Sequence, residues 1–304
     1  MPNSYGSRRG ATLVQVMAGI AAGSMVALLA VPMLGAARLD ARSNGASAHL
    51  REVAAGIERM AGDTGLYAPA FHRNDAGGLT HYSSTLLAGG YVPTPDVFTS
   101  PVVRQGGAPS AGAHVAQVDR LAFTVNGAIM PPEPLAYSGT DRHYRQVSYA
   151  GAAPQSGVRL MRRAEPIAPA RTLLATEWHA SENWGALMQG EMVMSHRPIV
   201  PFVGETTGRS PERQAVAGAG LTPFAYPETS EVYGDGADFR EVLTGRGATE
   251  INAMGRSHRT NNGQGAAWMV MLDGSARLAT PRQTVEQRLW GRAFHTITGG
   301  QGVR

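Results

Sequence analysis

Hydrophobic and polar positions divide the chain into one long uncharged stretch near its start and a mixed remainder. From Ala11 to Ala37 there is no Asp, Glu, Arg, Lys or His. As a helix these residues would extend roughly 40 Å, enough to cross a hydrocarbon core of about 30 Å. Arg8 and Arg9 precede the stretch, and the positive-inside rule then places residues 1–10 in the cytoplasm. The pattern predicts an N-terminal membrane segment.

A second helical pattern follows this segment. Apolar residues recur at the i, i+3, i+4 and i+7 spacing that forms one face of a helix, at Leu50, Val53, Ala54 and Ile57. Gly62 and Gly65 are plausible stop signals. We therefore expect residues 38–62 to continue the helix beyond the membrane segment of residues 11–37.

The strand signals lie mostly near the C-terminus. Ala266 to Leu272 is an apolar strand candidate, Asp273-Gly274 suits a tight type I′ turn, and Ala276 to Leu278 can return antiparallel. The apolar "RTLLAT" at 171–176 is a second buried-strand candidate. These signals predict an antiparallel hairpin and one further strand.

Stretches rich in Pro, Gly and Ala, such as "RQGGAPSAGAH" at 104–114, predict surface loops. Together the elements predict an α+β fold. It would have a long N-terminal helix, followed over residues 63–304 by a globular domain with an antiparallel sheet and long loops.

Composition removes several classes of chemistry. The 304 residues include no cysteine and no lysine, so a thiol nucleophile, a thiolate zinc site, a P-loop and a Schiff base are excluded. The net charge of +4 comes from arginines scattered among acidic residues, which argues against nucleic acid as a partner. The hydrophobic content of 43% is enough for a sizeable core.

Two acidic clusters raise the question of a metal site. "TEWHASE" places Glu177, His179 and Glu182 close together, without the helical spacing of zinc-binding motifs. "GDGADF" offers Asp235 and Asp238 in a Gly-rich stretch, without the six to eight oxygen ligands that calcium takes. We therefore expect no metal and no cofactor, with "TEWHASE" forming a polar strand end and loop.

His258, between Arg256 and Arg259 on either side, is interpreted as part of a solvated turn, because no GxSxG motif supplies a serine partner for it.

We expect the four tryptophans to anchor the core, at Trp178, Trp184, Trp268 and Trp290.

Three explanations fit the N-terminus. A secretory signal could be cleaved after Ala37, but the apolar stretch exceeds the usual 7–15 residues. A twin-arginine signal could be read from "SRRGATL", although Ala11 and Thr12 occupy positions where that signal prefers bulky apolar residues. The third explanation uses more of the residues. "RRGATLVQ" resembles the leader of type IV prepilins, a short basic peptide that ends in glycine.

That resemblance implies cleavage between Gly10 and Ala11 by a prepilin peptidase, which also methylates the new N-terminus. Counted from Ala11, Pro32 is the twenty-second residue, where pilins often carry a proline that kinks the helix.

The resemblance extends along the chain. "SAHLREVAAGIERMAGDTGLYAPA" at 47–70 is similar to a segment of bacterial pseudopilin-like proteins abundant in planctomycetes. "RQVSYAGA", "PARTLLATEWH", "GAAWMVMLDGSARLAT" and "LWGRAFHTITG" resemble later elements of that family in the same order.

The chain also departs from these families. Ala11 stands where pilins usually have Phe or Met, and Gln15 where most have Glu. In pilins that carboxylate is thought to neutralise the N-terminal ammonium of a neighbouring subunit. His258 precedes Asp273 by fifteen residues, a larger separation than the family's C-terminal motif has.

The resemblance implies a non-enzymatic pilin-like (pseudopilin) subunit of a type II secretion or type IV pilus-like system, and Gln15 in place of the glutamate predicts a minor or non-polymerising one. Its partners would be the prepilin peptidase, other pilin subunits and the inner membrane. It would cross that membrane once, with the C-terminal domain periplasmic or extracellular. The alternative is an exported hydrolase or binding protein with Glu177, His179 or His258 in its site.

Overall fold

The computed structural model describes residues 12–73, 79–109, 115–130, 160–166, 168–179, 188–189, 192–193, 198–199, 201, 203–204, 224–234 and 250–291. The chain divides into two compact units, Met1–Asn44 and Gly45–Arg304. The described residues form a mixed fold of helix and antiparallel sheet that begins with one long helix, as the sequence predicts.

Helix α1 extends over 52 residues, Leu13–Thr64. In its first part large apolar side chains are exposed, at Leu13, Val14, Met17, Ile20, Met33, Leu34 and Leu39. In the portion of the chain that the structure describes, we find no helix that combines the length and the apolar character needed to cross a bilayer.

The last part of α1 belongs to the second unit and forms one wall of its core. The predicted apolar face is confirmed, because all four of its residues are buried, at Leu50, Val53, Ala54 and Ile57. The helix passes Gly62 and ends at Thr64. Gly65 then adopts φ +75° and its N–H donates to the carbonyl of Ala61, an ending typical of glycine after a helix.

The second unit contains two short helices and fourteen short strands among the described residues. The helices are α2 (Tyr82–Ala88) and α3 (Pro281–Glu286). The strands are β1 (Phe71–Arg73), β2 (Leu79–His81), β3 (Ala108–Pro109), β4 (Val115–Ala116), β5 (Arg120–Leu121), β6 (Phe123–Val125), β7 (Leu173–Glu177), β8 (Met188–Gln189), β9 (Met192–Val193), β10 (Val203–Gly204), β11 (Phe224–Ala225), β12 (His258–Arg259), β13 (Gly265–Met271) and β14 (Ala276–Ala279). Strand β3 and the 3₁₀ turn Arg104–Gly106 lie where a surface loop was predicted, and Ala108 is buried.

The largest sheet has the order β12-β13-β7-β6, and β14 also pairs with β13. All these pairings are antiparallel. Two of the three strands predicted from the sequence lie at the centre of this sheet, since β7 coincides with "LLATE" and β13 with "GAAWMVM".

The predicted hairpin of β13 and β14 is confirmed, but its turn differs from the predicted type I′. The N–H of Gly274 donates to the carbonyl of Met271, and the N–H of Met271 donates to the carbonyl of Ser275. Within this turn, only Gly274 has a positive φ, +81°, whereas a type I′ turn requires two residues with positive φ. The loop is therefore the three-residue kind, a type I turn closed by a left-handed glycine.

The sheet separates two apolar clusters. Along β13, Ala267, Met269 and Met271 belong to one cluster, whereas Val270 belongs to the other. This is the period-2 alternation of a strand buried on both faces. One cluster contains the buried face of α1, and the other contains Trp290 and Val285 of the C-terminal segment.

Candidate functional site

The residues predicted to govern leader processing lie mostly outside the described chain. Arg8, Arg9, Gly10 and Ala11 are not among the described residues. Pro32 lies inside α1, which continues on both sides of it.

Gln15 lies in the first turn of α1, and its side chain bonds back to the residue before the helix. The backbone N–H of Thr12 donates to Gln15 Oε1 at 3.0 Å, and the N–H of Gln15 donates to Thr12 Oγ1 at 3.4 Å. Since α1 begins at Leu13, Thr12 holds the N-cap position and Gln15 the third helical position. The two bonds form the reciprocal arrangement known as a capping box.

Asp273 and Gly274, predicted as a hairpin turn, close the β13–β14 loop. Asp273 Oδ1 accepts from the hydroxyl of Ser275 at 2.6 Å and from its backbone N–H at 2.9 Å. These bonds, the hydroxyl first, lower the pKa of the exposed Asp273 carboxyl below its ordinary value. Asp273 thus stabilises its own turn.

Among the described residues of the second unit, a buried polar site is centred on Glu177, the last residue of β7. All five residues of this strand are buried, so the strand carries the carboxylate into the interior. Trp268 N–H donates to Glu177 Oε2 at 2.9 Å, and Ser100 Oγ donates to Oε1 at 3.3 Å. Burial of a carboxylate is costly unless such donors replace water.

His258 supplies the remaining partner and corrects the prediction of a solvated turn. Its Nε2 lies 2.8 Å from Glu177 Oε2 and 3.0 Å from Oε1. The side chain of His258 is 5% exposed and that of Glu177 is 0% exposed. The prediction was wrong because a residue 81 positions away supplies the polar partner. Arg256, which was predicted to lie in the same solvated turn, instead donates from its guanidinium to the carbonyls of Asn252 and Met254.

Backbone contacts fix the position of this pair. Gly255 N–H donates to the carbonyl of Glu177 at 2.8 Å. A Cβ at position 255 would lie 3.0 Å from Glu177 Cβ and 3.1 Å from the carbonyl oxygen of Trp178. A larger residue here would require these neighbours to shift by a few tenths of an ångström, so glycine favours the close approach to β7 of the chain leading to His258.

The order of the hydrogen bonds determines what the site can do chemically. In a nucleophilic triad the histidine lies between the hydroxyl and the carboxylate and takes the proton of the hydroxyl. Here Glu177 lies between Ser100 and His258. The arrangement joins three separate segments of the chain, and the group that accepts from the hydroxyl of Ser100 is the Glu177 carboxylate.

Of the other candidates for a metal site, His179 alone is among the described residues. His179 follows β7, and its backbone N–H donates to the carbonyl of Ala253. Glu182, Asp235 and Asp238 lie outside the described residues. Within the described ranges, no group of three or more His, Asp or Glu side chains could hold a metal ion.

The tryptophans are placed largely as predicted. Trp178 is 4% exposed and Trp290 is fully buried. Trp268 is partly buried and packs against the cluster that contains α1, and its ring meets the His258 ring edge-on with centroids 6.3 Å apart. Trp184 lies outside the described residues.

Two features of these sites were missed from the sequence. A signal for the first was present, because Thr12-x-x-Gln15 before an apolar run is the signature of a capping box. For the pair of Glu177 and His258, the only local signal was a charged residue that ends an apolar strand.

No protein-family model, curated protein or solved structure matches the chain.

Proposed function

We propose that this chain is a non-enzymatic pilin-like subunit, held in the inner membrane by the first part of α1. Its N-terminus is cytoplasmic, and its second unit is the head that it presents on the outer side. The observation that carries the proposal is the division of α1 into two environments. One helix exposes large apolar side chains near its start and buries an apolar face in the head near its end.

The sequence supports assigning a lipid or protein environment to the first part. Residues 11–37 carry no charge, and exposed apolar surface in water costs about 25 cal/mol per Å². Exposed large apolar side chains in such number support an interaction site or a membrane-facing segment. The prepilin-like leader before it supports the prepilin peptidase as the first partner.

The buried polar site supports a structural role for the head. Glu177 accepts from the hydroxyl of Ser100 and faces the imidazole of His258, which is not the hydroxyl–histidine–carboxylate order of a nucleophilic triad. We then expect the head to function through contacts made by its surface, either within an assembly or as a membrane-anchored domain.

Cell fractionation tests the anchor and its orientation. The full chain should remain in inner-membrane pellets after alkaline carbonate washing, and protease added to spheroplasts should digest the head. Recovery of the chain in the soluble fraction, or a head protected from external protease, would contradict the proposal.

We further propose that the subunit is a minor or non-polymerising member of its system, since Gln15 brings no charge to a neighbour's ammonium. Quantification in sheared filaments compares the wild type with Gln15→Glu. The variant should enter filaments in greater amount. Abundant wild-type protein along the whole shaft would overturn the minor role, and absence of both forms from filaments would leave a monomeric anchor.

A further inference from the structure

We infer that Thr12 and Gln15 close the first turn of α1 on itself, so that this subunit begins its helix without the contact to a neighbour that a pilin carboxylate provides. The hydrogen bonds are observations of this chain alone, whereas their meaning for assembly rests on the proposed function. Gln15 is then the helix-positioning residue of the subunit.

The start of a helix leaves four backbone N–H groups without partners in the helix. Gln15 N–H is one of these donors and reaches Thr12 Oγ1, while Gln15 Oε1 accepts from the N–H of Thr12. The bond at 3.0 Å has ordinary geometry, and the bond at 3.4 Å is long. The side chain of Gln15 therefore contributes more than the hydroxyl of Thr12.

Gln15 serves this purpose at no electrostatic cost. A glutamate at the third helical position can also complete a capping box, but a carboxylate in or near hydrocarbon is expensive unless a cation accompanies it. An unpaired N–H in the same surroundings costs several kcal/mol. A neutral amide satisfies the backbone and needs no ammonium from a second subunit.

Hydrogen exchange in the full-length protein, in detergent micelles and with ¹⁵N-labelled threonine and glutamine, tests this inference. Gln15→Met has nearly the same length but lacks the acceptor, and should speed exchange at the Thr12 amide about three- to tenfold. Gln15→Glu keeps an acceptor and should preserve protection. Thr12→Val should speed exchange at the Gln15 amide by a smaller factor, and Thr12→Ser should not.

A double-variant cycle shows whether the two bonds act as one unit. Thr12→Val should speed exchange of the amide at position 15 by a smaller factor when Gln15→Met is also present, because the two side chains support the same turn. Unchanged exchange at Thr12 in Gln15→Met, or equal loss of protection in Gln15→Glu and Gln15→Met, would overturn the inference. The readout requires neither cleavage nor filaments, so it can fail while the pilin-like function stands, and the reverse also holds.

Discussion

One region of the molecule exposes apolar side chains, and another buries polar ones. In the first part of α1, Leu13 is 76% exposed and Ile20 is 64% exposed. In the core of the second unit, the Glu177 carboxylate is fully buried beside His258. Each arrangement is unfavourable unless a partner compensates it.

The difference lies in where the partners are. Glu177 finds its partners within the chain, in Ser100, His258 and the N–H of Trp268. The exposed apolar residues near the start of α1 have no such covering among the described residues. This contrast motivates the proposal that lipid or other subunits cover them.

The largest effect is expected where the buried pair of Glu177 and His258 is broken. Glu177→Ala should lower the free energy of unfolding by about 3–5 kcal/mol, because it leaves His258 and two further donors without their acceptor. This loss of stability is measured by urea unfolding of the full chain in micelles, monitored by tryptophan fluorescence. The exposed Glu286 supplies the control, and Glu286→Ala should change stability by less than about 0.5 kcal/mol. Equal stability of the two variants would show that the buried network contributes nothing.

Two isoleucines of the same helix sharpen the comparison. Ile57 is fully buried, whereas Ile20 is 64% exposed. Ile57→Ala should cost about 2–4 kcal/mol from lost burial and the cavity that remains. Ile20→Ala makes the same change of helix propensity and should leave the unfolding of the head within about 0.5 kcal/mol of the wild type. A large loss for Ile20→Ala in the same fluorescence assay would mean that the first part of α1 supports the head.

A smaller effect is expected at Tyr82, whose hydroxyl donates to the carbonyl of Phe123 at 3.0 Å inside the core. Burial raises the pKa of the Tyr82 phenol above its ordinary value. The stabilisation is therefore complete below about pH 10, where unfolded tyrosine ionises, and is lost as the pH rises further.

Tyr82→Phe should cost about 1 kcal/mol at neutral pH for the lost hydrogen bond. Above pH 10 the stability of this variant should fall less steeply than that of the wild type. Tyr233→Phe is the matched control, since Tyr233 is 36% exposed. Urea unfolding at each pH gives the free energy of unfolding of both proteins. If it falls equally steeply above pH 10 in the wild type and in Tyr82→Phe, the role assigned to the burial of Tyr82 is contradicted.

The parts of the fold that sequence patterns could predict are those set by local periodicity. The buried face around Leu50 and Ile57 follows the helical repeat, and β13 follows an apolar run that ends in Asp-Gly. Turn type was harder, because Asp-Gly also fits a three-residue loop in which only Gly274 is left-handed.

The candidate site was mostly beyond such patterns. His258 is surrounded in sequence by arginines and polar residues, and nothing local shows that it reaches a strand end 81 positions away. The cap of α1, in contrast, has a local signature in Thr12 and Gln15, three residues apart before an apolar run.

The mature N-terminus tests the central claim most directly. Intact-mass measurement and N-terminal peptide sequencing of the protein from native membranes should show an N-methylated Ala11, with residues 1–10 removed. Gly10→Val should leave the precursor uncut, because a branched side chain would crowd the peptidase. A mature chain that starts near Arg38, or normal processing of Gly10→Val, would contradict the pilin-like account and favour the exported-protein alternative.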